Sequence, residues 1–324
     1  MKRMKDREKV ILAVDLGGSK YMTGLIAKSG DIKYKNRRVW GAKSSEGIVQ
    51  KICEAIEEVI HLSEYEIEAI GVTVPGTADR KTGVWVSSNN LGIRNLPLGE
   101  IISNRFGYPV YIDNDCKACV LAERYFGAGR DCDDFLYMTV STGVGGALFL
   151  NGEIYYGAYN NAGEIGLCVV VENGRTSKHG SPGTLEAYAA ADGIVQNYLE
   201  LGGDEMIDGE LPNGKSITKL AARGDPVALK TFELEGYYLG KVIATVYSTL
   251  DIKKVIIGGG LSLAFEYFRK SLESTVEKNS FKRDYPALSI ESTPLGYEGA
   301  LIGAAALALR GLEELNMLEC ESKK

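Results

Sequence analysis

Three segments of the chain combine residue types suited to phosphate. Asp15-Leu16-Gly17-Gly18-Ser19-Lys20 follows the apolar, β-branched run VILAV at 10–14. Glycines let backbone N–H groups approach anionic oxygens, an acid there can hold Mg²⁺ directly or through water, and Ser19 and Lys20 add donors. Ser141-Thr142-Gly143-Val144-Gly145-Gly146 repeats the arrangement after the strand-like run at 135–140, and Gly258-Gly259-Gly260 ends a third such run. Each turn is also what a tight hairpin corner needs. Their recurrence after strands favours the phosphate reading. The turns at 15–20 and 141–146 are not Walker A sequences, and the one at 15–20 lacks the dinucleotide pattern GxGxxG. A fourth candidate is Asp115, beside Asn114. An acid there is an ordinary first-turn residue of a helix, but amide plus carboxylate at the carboxyl edge of a strand can also grip adjacent hydroxyls, and open α/β sheets bind ligands at that edge.

The elements around these residues are readable. Apolar runs at 10–14, 21–27 and 32–40 predict strand, glycine turn, strand, turn, strand. Ser44 precedes Ile48, Val49, Ile52, Cys53, Ile56, Val59 and Ile60, a helical spacing with a serine cap. Strands are expected at 69–74 and 109–112, with a helix after Asp115 that ends near Gly127 and Gly129. The opening pattern then recurs: strand at 135–140, glycine turn, strand at 147–150, and Asn151-Gly152 as a hairpin turn. Such repetition predicts a duplicated two-domain α/β architecture. A strand at 254–257 and an Ala/Leu-rich helix from Gly299 to Arg310 complete the pattern, and 200–217 is read as an irregular surface loop.

The 324 residues are 45% hydrophobic, enough for one large or two medium domains, and the formal net charge of -6 argues against electrostatic binding to nucleic acid. There is no long apolar stretch to cross a membrane and no signal-peptide core, so a cytoplasmic protein is expected. Of six cysteines only Cys116 and Cys119 form a CxxC. Without a second pair, and at the start of a helical pattern, they read as free, buried thiols.

The segments DLGGSK (15–20), VPG (74–76), NLG (90–92), IDNDCKACVLAERYFGAG (112–129), STGVGG (141–146), NGEIYYGAYNNAGEIG (151–166), GTLEAYAA (183–190) and IGGGLS (257–262), in this order, resemble the ROK family of bacterial sugar kinases and related repressors. The resemblance implies an actin/hexokinase-like ATPase fold with two duplicated lobes around a central cleft. The expected lobes are residues 1–117 with about 303–324, and residues 118–302. It implies ATP and Mg²⁺, transfer of the γ-phosphoryl group to a hexose hydroxyl, usually the 6-hydroxyl, and a homodimer. By position, Asp115 is the general base. Asn90, Asn114, Glu164 and Glu186 bind the sugar. Asp15, Gly17, Gly18, Ser19, Lys20, Thr142 and Gly143 surround the phosphates, and Gly259 and Gly260 lie near the adenosine.

The chain departs from the family where many members hold a structural zinc. Leu167 stands in place of the family's histidine, and Ser177, His179 and Thr184 in place of three cysteines. A structural site needs four ligands, so no zinc is expected; Pro182 and packing are expected to hold that loop. The same histidine contacts the sugar in the family, so Leu167 implies a more apolar side to the sugar pocket. Regulators of the family place a DNA-binding helix-turn-helix ahead of the phosphate motif, which this chain reaches by residue 15. A sugar-binding protein without catalysis, and a kinase for a non-sugar alcohol, are the alternatives. The pair Glu164 and Glu186 favours a polyhydroxyl ligand.

Overall fold

The run at 10–14 becomes β1 (Lys9–Leu16) in a computed structural model that describes residues 7–41, 44–177, 181–281 and 287–321. β2 (Lys20–Ala27) and β3 (Ile32–Val39) continue it antiparallel. α1 (Ser45–Leu62) begins at the expected serine: Ser44 Oγ accepts from Gly47 N at 3.1 Å. β4 (Glu66–Val74) returns parallel to β1. A small antiparallel sheet of β5 (Thr77–Asp79), β6 (Val84–Ser88) and β7 (Ile93–Leu96) follows, then α2 (Leu98–Phe106), β8 (Val110–Asn114), parallel to β4, and α3 (Asp115–Phe126).

The middle of β1, residues 10–14, is apolar without a break because both its faces are covered. Val10, Leu12, Val14 and Leu16 pack with Ile48, Ile52 and Ile56 of α1. Ile11 and Ala13 pack with Leu301, Ala304 and Ala308 of α9 (Gly299–Glu321). Alternate residues of a strand point to opposite faces, so Asp15 lies on the α9 face. Gly71 lets α9 approach, since a Cβ there would overlap the Ala304 carbonyl. At the sheet edge β3 exposes Lys33, Lys35 and Arg37, charges that keep an edge from pairing with another chain.

In the second sheet, β9 (Phe135–Val140), β10 (Val144–Leu150) and β11 (Glu153–Tyr155) form the repeated hairpins, with Asn151 and Gly152 at φ 53° and 80°. These are the positive angles that the Asn-Gly pair supplies. α4 (Leu185–Ala189), α5 (Ala191–Glu200), α6 (Gly214–Ala222) and α7 (Pro226–Leu250) come next, then β12 (Lys254–Gly258), α8 (Phe265–Asn279) and β13 (Ser289–Ser292). The predicted irregular segment 200–217 is cut short at its end. Asn213 Oδ1 accepts from Lys215 N and Ser216 N, and Ser216 Oγ accepts from Asn213 N, so a capping box starts α6 at Gly214.

The two sheets have one topology: β3-β2-β1-β4-β8 and β11-β10-β9-β12-β13, each with two antiparallel pairs followed by two parallel pairs. The internal repeat is a duplicated sheet. The chain divides into a first unit, Met1–Arg130 with Glu298–Lys324, and a second, Asp131–Tyr297. The crossings lie at 130/131, after α3, and at 297/298, ahead of α9, whereas the sequence reading places them near 117 and 303, inside those helices. α3 and α9 pack on each other, which keeps both helices whole within the first unit. Among the described residues no helix is long and apolar enough to cross a membrane.

Candidate functional site

In the first unit, three neighbouring parallel strands end side by side. Register pairs Asp15 of β1 with Thr73 of β4, and Thr73 with Asp113 of β8. Thr73 is fully buried, and its hydroxyl donates to Asp15 Oδ1 at 2.8 Å. Asp115 follows β8 as the first residue of α3, and its Oδ1 accepts from Cys116 N at 2.8 Å. Burial pushes the Asp15 carboxyl up to about 6, and the Asp115 charge adds to the shift; the Thr73 hydroxyl and the Arg37 guanidinium pull the other way. Burial also raises Asp115, against the Cys116 N–H.

Asn114, not Asp115, is the helix cap. Its Oδ1 accepts from Cys116 N at 2.9 Å and Lys117 N at 3.3 Å, and its Nδ2 donates to Gly76 O at 2.9 Å. The amide expected to grip hydroxyls thus serves the backbone. It ties α3 to the turn after β4 and sets the direction of Asp115.

The turn after β1 is closed by Gly17 N donating to Lys20 O at 2.8 Å. Trp40 Nε1 donates to Gly17 O at 2.7 Å, and its ring stacks on Tyr21 at 4.4 Å. The sequence gives no sign of this role, because nothing local to Trp40 points to residue 17. Gly18, Ser19 and Lys20 are exposed. Asn90 borders the turn, with its Nδ2 3.7 Å from where a Cβ on Gly18 would sit.

The second unit gathers its own set. A Cβ on Gly143 would lie 2.6 Å from Glu186 Oε2, and that oxygen accepts from Val144 N at 3.3 Å. The loop carrying Glu164 packs on the same hairpin. Gly163, at φ +97°, stands over Gly146 and Ala147, and a Cβ on Gly166 would overlap the Val144 carbonyl. Both predicted glutamates therefore border the glycine turn, Glu164 exposed and Glu186 half-buried. Thr142 is exposed, and Ser141 N donates to Gly143 O at 2.9 Å. After β12, Gly259 takes φ +84°, and a Cβ would lie 2.7 Å from Thr139 Oγ1. Gly260 is next to Ser141, and Ser262 Oγ donates to Gly259 O at 2.7 Å.

A literal GxxxxGKS string, Gly209–Ser216, also occurs. It lacks the context of a phosphate loop. No strand leads into it, and the Asn213 side chain already takes the helix N–H groups that an anion needs.

At the positions that hold zinc ligands in many members of the resembled family, Leu167 closes a short 3-10 turn and is 47% exposed, and Thr184 is buried ahead of α4. Thr176 and Pro182 pair as an isolated bridge across the loop, while His179 lies outside the described residues. Among the described residues no three or more His, Cys, Asp or Glu side chains gather as metal ligands. Mg²⁺ is different. It takes oxygen ligands and keeps waters, often using one or two carboxylates plus substrate phosphates. Two half-buried carboxylates in the first unit, each raised by burial, fit a small hard cation.

The family model for ROK proteins matches residues 11–311. A glucokinase of Halalkalibacterium halodurans is 30% identical over 322 residues, 94% of this chain and 96% of that protein. The N-acetylglucosamine repressor of Escherichia coli O157:H7 is 32% identical over 250 residues, which cover 76% of this chain and 61% of the repressor. A ROK family glucokinase from Streptomyces griseus, solved with glucose and AMPPNP, matches with a TM-score of 0.80 at 29% identity, over 92% of this chain and 98% of that one. The architecture is that of the actin/hexokinase-like ATPases.

Proposed function

The chain belongs to the ROK family, and from that premise we propose that it is an ATP-dependent sugar kinase with Asp115 as its general base. The observation that carries this reading is the carboxyl edge of β1, β4 and β8, where Asp15 and Asp115 stand in one unit with both carboxyls raised by burial. Phosphoryl transfer asks little covalent chemistry of a protein; it needs positioning and charge stabilisation. Asp115 accepts the proton of a sugar hydroxyl, usually the 6-hydroxyl, as its oxygen bonds to the γ-phosphorus. The bond from that phosphorus to the β–γ bridging oxygen breaks, and ADP leaves with the electron pair. Asp15 is the residue to hold Mg²⁺, which offsets charge on the phosphates. Gly18, Ser19, Lys20, Thr142 and Gly143 contribute N–H groups and side-chain donors to phosphate oxygens, and Gly17, whose N–H closes the turn on Lys20 O, shapes the approach. Gly259 and Gly260 leave room for the adenosine, and Asn90, Glu164 and Glu186 take sugar hydroxyls. Asn114 keeps the base in place.

Leu167, exposed beside the Glu164 loop, offers no hydrogen bond. It suits a sugar with an apolar substituent, such as a 2-N-acetyl group, and the similarity to an N-acetylglucosamine repressor supports the same class. That similarity also favours a second reading, sugar binding without transfer.

The test is sugar-dependent ADP release from MgATP across hexoses, 2-amino and 2-N-acetyl sugars, ketoses and deoxy sugars, with Asp115→Ala alongside. Release with one sugar class that falls by about 10²–10⁴-fold in the variant is expected of a lost general base. Sugar binding with no release from any sugar selects the second reading. Leu167→His is expected to shift kcat/KM from N-acetylated or deoxy sugars toward unmodified hexoses; unchanged ratios remove leucine from the specificity argument.

A further inference from the structure

Arg175 joins three segments of the second unit. Its backbone N–H donates to Tyr188 Oη at 3.0 Å, and its carbonyl accepts from Gly183 N at 2.8 Å. Its guanidinium lies 4.2 Å from the centroid of the Tyr188 ring, donates through Nη2 to Asn197 Oδ1, and approaches Glu200 Oε1 at 3.7 Å. Asn197 Nδ2 closes the circuit on Tyr188 O at 3.0 Å. The arginine side chain is only 21% exposed. Stacking on an aromatic face with a planar fork of donors is what a guanidinium does and an ammonium does not.

The clamp sits at the base of a loop that returns on itself. Val170 N donates to Gly183 O at 2.8 Å and Leu185 N to Cys168 O at 2.7 Å, so residues 168–171 and 183–185 run side by side. A Cβ on Gly174 would overlap the Tyr188 hydroxyl, so the loop presses against α4 at that point. α4 has five residues and no side-chain cap, too short to hold its direction without tertiary contacts. It carries both Tyr188, which Arg175 grips, and Glu186, whose carboxylate meets the Gly143–Val144 turn.

We propose that Arg175 is a positioning residue for the sugar ligands: by clamping residues 168–175 to Tyr188 and Asn197, it sets α4 and so the Glu186 carboxylate. This rests on the reading of Glu186 as a sugar ligand. A carboxylate displaced by about 1 Å costs up to roughly a hundredfold when it must meet a hydroxyl. The nucleotide-facing Gly258–Gly260 turn has no part in the clamp.

The test uses the full chain with Arg175→Lys and Arg175→Met. KM for the preferred sugar is expected to rise roughly tenfold or more in both. KM for MgATP should rise less than KM for the sugar, since Arg175, Tyr188 and Asn197 lie off the glycine turns and reach the Gly143–Val144 turn only through Glu186. Adding Arg175→Met to Glu186→Gln should raise the sugar KM little further, because the two act through one carboxylate. Rescue by lysine, an equal rise in both KM values, or additive effects of the two substitutions would overturn the proposal. If both variants fail to fold, Tyr188→Phe removes only the hydroxyl that accepts from Arg175 N; a sugar KM raised about threefold supports the clamp and an unchanged one overturns it. A wild-type protein without sugar-dependent ADP release defeats the kinase reading instead. Calorimetric sugar binding then decides: weaker binding in Arg175→Met than in wild type supports the clamp, and equal or absent binding in both overturns it.

Discussion

At the carboxyl edge of the first sheet stand Asp15 and Asp115; at the same edge of the second stand Ser141, Thr142 and Gly259. The strand orders are the same and the hairpins correspond. One edge carries two carboxyls that burial makes costly to ionise on the strand ends themselves, while the other is shaped by glycines without room for a Cβ and takes its carboxylate, Glu186, from α4. The duplicated sheet thus presents two similar platforms whose turns differ: buried carboxyls stand on one, and glycines in close backbone contact on the other.

The sharpest way to break this contrast is Asp15→Asn. Activity with MgATP is expected to fall by about 10²-fold, the scale on which a group stabilising developing charge matters. The free variant should nonetheless have a higher Tm at pH 7.5. The Asp15 carboxyl is raised in the folded chain from 3.8 to about 6. Its contribution to stability is therefore full below the unfolded value and lost as pH rises through about 6. An amide escapes that loss. A variant that is less stable and equally active would erase the distinction between the edges.

A smaller effect is expected of Gly259→Ala in the second unit. A left-handed backbone costs an alanine about 1–2 kcal/mol, and the new Cβ would overlap the Val140 carbonyl as well as Thr139 Oγ1. KM for ATP should rise about tenfold, the equivalent of 1.4 kcal/mol, with KM for the sugar unchanged. A change confined to the sugar would reassign the turn.

The smallest effect concerns an acid away from both edges. Glu235 of α7 is fully buried, and among the described residues neither carboxylate oxygen has a hydrogen-bond partner. Burial holds its carboxyl well above the ordinary range. Stability is full below the unfolded value near 4.5 and is lost as pH rises toward the raised folded one. Glu235→Leu should stabilise the chain by about 1–3 kcal/mol, more at pH 8 than at pH 5 in thermal melts, and leave kcat alone. A stabilisation independent of pH would mean that the carboxyl is not the cause.

Local patterns made β1, the Ser44 cap, the Asn151-Gly152 turn and the repeated hairpins legible, because each rests on neighbours in sequence. Asp15, Gly143 and Gly259 stand out as candidates in the same way. What stayed hidden depends on distant partners. Trp40 holds a carbonyl at residue 17, and Arg175 stacks on residue 188. Glu235 looks like a surface acid of a long helix until α8 packs over its neighbour Gly236. Asn114 was legible as polar at a useful edge, but its bond to Gly76 O is a tertiary fact. The sheet of β5 to β7 went unread because its strands are short and mixed in polarity.

The position of α9 bears on how the chain comes off the ribosome. Its residues Leu301, Ala304 and Ala308 cover Ile11, Ala13 and Met22, so one face of the first sheet lacks its cover until about 180 further residues have been translated. At typical synthesis rates that is roughly 10–40 s of exposure. Residues 131–297 form one uninterrupted stretch with its own core and are free to finish folding during that wait. The helix made after that stretch is then the one that seals the first strands.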